Sequence, residues 1–210
     1  GVRIFCFLVK LPPPVATPEI ALCPSPPLFR AWPQAGPPRR ELGIATAFNF
    51  LGPLSNPAGV RRLMIGVSDA TMAERMVGVL AARGAERVLI VHGDDGLDEL
   101  TITTTSRVVE LRDGAVRAYE VDPVALGIDR APGESVVGGD PATNASLARR
   151  VLAGETGAHR DIVTLNAAAG LVAAGLADDL AAGLATARSS LDDGRAAAAL
   201  DRLVAVSNAA

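Results

Sequence analysis

Four carboxylates stand within six residues in the stretch "HGDDGLDE", which begins at His92: Asp94, Asp95, Asp98 and Glu99. Like charges this close repel one another unless water or a cation neutralises them. Hard divalent cations take oxygen ligands, and Mg²⁺ characteristically uses one or two carboxylates together with waters and substrate phosphates. Gly93 and Gly96 tolerate positive φ, so the stretch can fold back on itself. On such a turn the adjacent Asp98 and Glu99 reach one ion, directly or through water. They are the candidate metal ligands of a magnesium–phosphate site, whereas Asp94 and Asp95 read as solvated loop residues.

A second chemical candidate lies upstream, in "RRELGIATAFNFLGPLSNP". Arg39 and Arg40 open it, and a guanidinium fork matches a carboxylate or phosphate in bidentate fashion. On composition alone the pair also reads as a surface feature beside a proline linker. "GPLSNP", with one Gly, two Pro and an Asn, reads as a fixed turn.

The elements that must position these groups follow from periodicity. "RRLMIGV" and "RVLIVHG" are short apolar runs, hence strands. Between them, "SDATMAERMVGVLAARGAE" offers Ser68 or Asp69 as N-cap, Met72, Met76, Val79 and Leu80 at helical spacing, and Gly84 as a stop. Strand, helix and strand in this order describe a right-handed βαβ unit with parallel strands. The acidic stretch then sits at a strand's carboxyl end, where α/β proteins gather their ligands. "SRVVELRDGAVRAYEV" is two runs around Asp113-Gly114, a hairpin signal. "GGDPATNASLARRVLAGETG", "AHRDIVTLNAAAGLVAAGL", "DDLAAGLATARSSLDDG" and "RAAAALDRLVAVSNA" are helical stretches punctuated by Gly or Asp. The fold class expected is α/β: a mixed, mainly parallel sheet flanked by helices.

The 210 residues, 49% of them hydrophobic with formal net charge −3, suit one globular domain with an appendage. The mild acidity gives no electrostatic case for nucleic acid or an anionic membrane. No apolar run is long enough to span a bilayer. Cys6 and Cys23 make no disulfide framework, and no zinc spacing exists, so a cytoplasmic protein is expected. Residues 1–37 differ from residues 38–210. Ten of the fifteen prolines, both cysteines, Trp32 and Lys10 fall within the first forty positions. Proline removes backbone donors and fixes φ, so residues 1–37 are expected to be an irregular, proline-rich segment ahead of an α/β domain over 38–210. "GVRIFCFLV" lacks a following small-residue cleavage site and is not read as a secretion signal.

Two of these stretches together resemble the anthranilate phosphoribosyltransferase family. "RRELGIATAFNFLGPLSNPAG" looks like that family's "RRELGIRTxFNxLGPLxNP", and "VLIVHGDDGLDELT" looks like its "VxxVHGxDGLDE". "GGDPATNA" and "DIVTLNAAAGLVAAG" match two further family patterns in order, so the likeness covers about residues 38–206. The structurally related pyrimidine nucleoside phosphorylases lack "HGxDGLDE".

The resemblance implies a nucleoside phosphorylase/phosphoribosyltransferase catalytic-domain fold. It implies transfer of the phosphoribosyl group of phosphoribosyl pyrophosphate (PRPP) to anthranilate, with release of pyrophosphate, in tryptophan biosynthesis. It implies Mg²⁺ as cofactor, held by Asp98 and Glu99, an anthranilate contact at Arg39 with Arg40 as neighbour, and a family-like homodimer. This sequence departs from the family pattern in several places. The family's N-terminal helical domain, its "GTGGD" phosphate loop and its "KHGNR" segment are not found, and position 45 is Ala where Arg is usual. "GGD" at 138–140 opens a late helix and is not that loop. The expectation is a truncated, impaired family member whose residues 1–37 reflect a frame or start-site error. The alternative is a non-catalytic α/β module that binds a partner or a small ligand.

Overall fold

The computed structural model describes Glu41, Phe48–Leu54 and residues 59–209. In chain order the elements are α1 (Phe48–Leu54), β1 (Arg62–Gly66), α2 (Thr71–Ala82), β2 (Arg87–Gly93), β3 (Ser106–Arg112) and β4 (Ala115–Val121). Two short 3₁₀ turns follow at Pro123–Leu126 and Gly133–Val136. Four helices complete the chain: α3 (Pro141–Leu152), α4 (Ala158–Ala174), α5 (Leu180–Asp192) and α6 (Arg195–Asn208). α1 runs through Pro53 to Leu54, so the first half of "GPLSNP" is helical where the sequence reads as a turn. Proline's fixed φ is itself helical and costs the helix one amide bond. Residues 55–58 lie outside the described residues, as do residues 1–40.

The strands form one sheet in the order β1-β2-β3-β4. β1 and β2 are parallel, joined by the crossover helix α2, while β2–β3 and β3–β4 are antiparallel. The sheet is therefore mixed and flanked by helices, as expected. Its parallel share is smaller than a mainly parallel sheet would have: among the described residues, one pairing of three is parallel. The loop after β2 turns the chain straight back, and "DG" then makes a two-residue hairpin. Asp113 (φ 53°) and Gly114 (φ 77°) both take positive φ, the geometry whose twist matches the flanking strands.

Two apolar layers hold the sheet. On one face Leu63, Ile65, Val88, Ile90, Val109 and Leu111 pack on Ala73, Met76, Val77 and Leu80 of α2. That buried stripe has the i, i+3, i+4, i+7 spacing of an amphipathic helix. It takes in Met76 and Leu80 as expected but leaves Val79 44% exposed. On the other face Met64, Leu89, Val91, Val108 and Val121 meet Leu165, Ala168, Ala169, Val172 and Ala173 of α4 and Leu184 of α5. Fully burying one such Val, Ile or Leu contributes roughly 1.5–3 kcal/mol. Alanine on α4 lets α5 come close, and a Cβ at Gly183 would sit 2.8 Å from the Ala168 carbonyl oxygen.

Helix starts follow the punctuation. Asp140 and Asp179 cap α3 and α5 by accepting from the amides of Thr143 and Ala182. At α2 the cap position is Ala70, and Asp69 works one residue earlier by accepting from both the amide and the hydroxyl of Thr71. α4 is also tied to the beginnings of two strands. Arg62 donates to Ala174 O (2.6 Å) and Arg87 to Val172 O (2.8 Å), placing cations at the negative end of the helix.

Candidate functional site

β1 and β2 end side by side at Gly66 and Gly93, and the acidic stretch folds over their carboxyl ends. Gly66 meets the backbone of Asp98, and Gly93 meets the side chain of Asp95 and the backbone of Glu99. A Cβ at Gly66 would lie 1.6 Å from Asp98 O, and one at Gly93 would lie 2.5 Å from Asp95 Oδ1. Only glycine at both strand ends lets the loop seat this low. The loop closes through the Gly93 amide to Leu97 O (2.8 Å) and the Gly96 amide to Gly93 O (2.8 Å), with Gly96 at φ 92°.

The four carboxylates divide by role. Asp95 is exposed but not merely solvated. Its Oδ2 accepts from the Thr101 hydroxyl (2.6 Å) and from the Thr103 hydroxyl, and its Oδ1 from the Leu97 amide (3.2 Å). Burial pushes this carboxyl up, but those donors together outweigh it and hold the group below its ordinary value of 3.8. Asp94 accepts from the Thr105 hydroxyl and donates its amide to Thr105 O (3.0 Å). Asp94 and Asp95 are exposed, as expected of solvated loop residues, and the threonines of "TITTT" add hydroxyl donors to them. Both residues act as loop staples.

Asp98 and Glu99 are half-buried and adjacent on the inner turn. Asp98 Oδ2 is buried with no hydrogen-bond partner. A buried carboxylate oxygen calls for a donor or a cation. Just past the pair, Asn166 of α4 takes both backbone groups of Leu100. Its Oδ1 accepts from the Leu100 amide (2.9 Å), and its Nδ2 donates to Leu100 O (2.8 Å) and Ile162 O (3.0 Å). The Thr101 amide donates to buried Ser106 Oγ (2.9 Å). Beside the loop, His92 Nδ1 lies 2.8 Å from Val67 O. A carbonyl only accepts, so that nitrogen carries a proton in this contact. The hydroxyl and amide of Thr71 hold the nearby Asp69 carboxyl below its ordinary value, with His92 adding a smaller effect in the same direction.

The structure thus brings Asp98 and Glu99 together at the ends of the parallel pair. Arg39 and Arg40 lie outside the described residues. Among the described residues no three His, Cys, Asp or Glu side chains converge on a common point. Two hard oxygen donors, one with an orphaned oxygen, fit an ion that completes its shell from substrate oxygens and water. They do not fit a closed protein cage. Asn166, Ser106 and the three threonines escaped the sequence-based search for chemistry. One signal for Asn166 was present: it is a lone amide in the apolar run "TLNAAAGLVAAGL".

Comparison with known proteins agrees with this fold. The family model described as "Glycosyl transferase family, a/b domain" matches residues 11–197. The anthranilate phosphoribosyltransferase of Roseiflexus castenholzii is 51% identical over 175 residues, covering 82% of this chain and 52% of that protein. That of Nocardioides sp. is 49% identical over 210 residues, covering 98% of this chain and 61% of its own length. The likeness therefore extends upstream of residue 38, where the sequence motifs begin. The chain spans about half the length of the Roseiflexus castenholzii relative and of others it matches. Among solved structures, anthranilate phosphoribosyltransferase from Thermus thermophilus superposes with a TM-score of 0.75 at 44% identity, over 84% of this chain and 52% of that one. The Saccharomyces cerevisiae enzyme in complex with PRPP and Mg superposes with a TM-score of 0.73 at 25% identity, over 82% and 50%. By its sheet, its loop and this match along most of its length, the chain belongs to the glycosyl transferase family with this a/b domain, among relatives that are anthranilate phosphoribosyltransferases.

Proposed function

We propose that this chain carries the α/β part of an enzyme that transfers the phosphoribosyl group of PRPP to the amine of anthranilate and releases pyrophosphate. One observation carries the reading: Asp98 and Glu99, in a segment shared with relatives about half identical, sit at the ends of a parallel strand pair with Asp98 Oδ2 buried and unpartnered. In this reading Asp98 and Glu99 would hold Mg²⁺, with substrate oxygens and water completing its shell. When bound, the ion would neutralise charge growing on the leaving group. Asp95, with its threonine donors, and Asn166, through Leu100, fix the loop so that neither carboxylate must reorganise as charge develops. Arg39 takes the anthranilate carboxylate, with Arg40 beside it. A cytoplasmic location and a homodimer of the family kind complete the proposal. Among the described residues no helix is long and apolar enough to cross a membrane.

The 210-residue chain by itself is expected to be a weak catalyst. No "GTGGD" phosphate loop stands in its sequence, and losing one oxyanion donor typically costs about 3 kcal/mol of transition-state stabilisation. The test is calorimetric titration of Mg²⁺ with and without PRPP, paired with the change in anthranilate fluorescence on turnover. Mg²⁺ binding should be weak alone, tighten with PRPP, and fall in Asp98→Asn/Glu99→Gln. Equal affinity in the double variant and the parent would remove the metal assignment. Turnover within about tenfold of a full-length relative would overturn the expectation of weak catalysis. Intact PRPP-dependent Mg²⁺ binding without any turnover would favour a binding module.

A further inference from the structure

β4 is the last strand of the sheet, and among the described residues no strand pairs with its outer side. Residues 115–118 and Glu120 are exposed, Val116 to 53%. Natural sheets guard such an edge with proline, a bulge or a covering element. β4 carries neither proline nor bulge: its seven residues pair one to one with β3, and the next proline is Pro123. On the α4 side an open groove of about 480 Å³ runs beside the strand, floored by Val121, Leu126, Val172 and Leu180.

The hairpin fixes which backbone groups are spare. A two-residue turn is closed by a hydrogen bond between its flanking residues, here Arg112 and Ala115. Bonded pairs then alternate along the ladder, so Ala115, Arg117, Tyr119 and Val121 turn their amides and carbonyls to β3. Val116, Ala118 and Glu120 turn theirs outward. These three positions are symmetric about Ala118, the middle residue of the strand. An antiparallel copy related by a two-fold axis at Ala118 therefore meets all of them. Ala118 faces the partner's Ala118, and Val116 faces the partner's Glu120. Each bonded pair exchanges two hydrogen bonds, and no outward group is left over. Moving the axis to Arg117 or Tyr119 puts one of the three opposite a residue outside the strand.

The charges suit the same arrangement. Arg117 donates to Glu110 at 2.9 and 2.7 Å, and its guanidinium carbon lies 5.5 Å from the Tyr119 ring centroid. Glu120 stands opposite Arg107 in the β3 register. Both charges of the edge thus have a counter-charge within the chain, and pairing strands neither. On the groove side Arg117 would stand opposite the partner's Tyr119, a cation–aromatic pair. We propose that β4 is a homotypic docking edge: a second copy of this chain adds its own β4 antiparallel across Ala118, joining two four-stranded sheets into one. The surface belongs to this α/β part and is independent of the transfer reaction proposed above. Seven residues a side is below the about 20–30 of a standard stable interface, so association is expected in the micromolar range.

Sedimentation velocity of the 210-residue chain between about 1 and 200 μM, paired with amide hydrogen exchange, tests this. The expected result is a monomer–dimer equilibrium in which protection at Val116, Ala118 and Glu120 rises with concentration, while Arg117, Tyr119 and Val121 stay protected throughout. Ala118→Pro removes an outward amide and leaves every bond to β3, as edge prolines do, and should weaken the dimer more than about tenfold. In a chain whose Cys6 and Cys23 are replaced by Ser, Ala118→Cys should form an intermolecular disulfide on mild oxidation. The two Cα atoms of a bonded pair are about 5.5 Å apart, within disulfide reach. Val116→Cys, displaced from its own copy along the strand, should not. A monomer at every concentration overturns the proposal, as does a dimer that Ala118→Pro leaves intact or one that leaves exchange on β4 unchanged. Protection of the three amides that dilution does not alter would put residues of the same chain on the edge and also overturns it. If Ala118→Pro fails to fold, the exchange pattern and the two cysteine variants still decide.

Discussion

Asn166 satisfies both backbone groups of Leu100 from a helix 66 residues further along the chain, at 2.9 and 2.8 Å. The pair is buried, so neither group has water as a substitute. Asn166→Leu keeps the bulk and strands the amide and the carbonyl of Leu100. With about 1–3 kcal/mol for each buried unsatisfied group, the variant should lose about 3 kcal/mol in urea denaturation. Hydrogen exchange at the Leu100 amide should rise in parallel. A loss well under 1 kcal/mol would mean that the loop repairs its own backbone.

Asp95 should make the loop pH-dependent. Its folded value lies below 3.8, so its contribution is present above the unfolded value and is lost as pH falls through the folded one. The stability gap between the parent and Asp95→Asn should be widest above about pH 4 and should close on further acidification. Denaturation midpoints measured down through that range check the sign. A gap that grows with acidity would contradict the hydrogen bonds from Thr101 and Thr103.

Two glycines should respond oppositely to alanine. A Cβ at Gly66 meets Asp98 O at 1.6 Å, a backbone atom that cannot step aside alone. Gly66→Ala should cost about 3 kcal/mol and displace the loop carrying Asp98 and Glu99, which calorimetric titration of Mg²⁺ with PRPP would register. Gly78, inside α2, has open space around it. Gly78→Ala should stabilise the protein by roughly 0.5–1 kcal/mol, because alanine gives up less backbone freedom in a helix. Melting curves of the two variants on either side of the parent are the expected outcome.

Tyr119 is the sole tyrosine, so its ionisation is read directly from ultraviolet absorbance. Burial first, and then the Glu110 charge and hydrogen bonding to it, push the phenol up to about 12. The midpoint should fall back toward 10.0 in Glu110→Gln. The neutral phenol stabilises the fold below the unfolded value of 10.0, and this contribution fades as pH rises toward about 12. A midpoint near 10 in the parent would place the ring in water.

Local chemistry was the legible part of the sequence. "DG" specifies its hairpin because two successive positive-φ residues suit only a few residue types. Asp140 and Asp179 specify helix starts because a short acceptor satisfies orphan amides. "HGDDGLDE" specifies a loop after a strand, and its family likeness singled out Asp98 and Glu99 ahead of Asp94 and Asp95. What stayed hidden depends on long-range pairing. Nothing local says that β3 returns antiparallel beside β2, or that Asn166 will face Leu100. Glu110 was equally silent: within "RVVELR" it alternates like a surface residue, and only the covering by α4 and α5 turns it inward. The threonines of "TITTT" gave no sign of Asp95 as their acceptor, because a loop carries no periodicity to place a side chain.

The bonds from Arg62 and Arg87 to the last turn of α4, and those from Asn166 to Leu100, lie at opposite ends of the same strands. From Asn166 to Ala174 the helix rises about 12 Å, and β1 from Arg62 to Gly66 advances about 13 Å. The helix is thus pinned as a strut whose length matches the strand beneath it. A strut fixed at both ends cannot tilt at one end without shearing the other. The two extremities of the sheet should open as a single cooperative unit, and the slowest-exchanging amides of β1, β2 and the C-terminal half of α4 should report one common opening free energy.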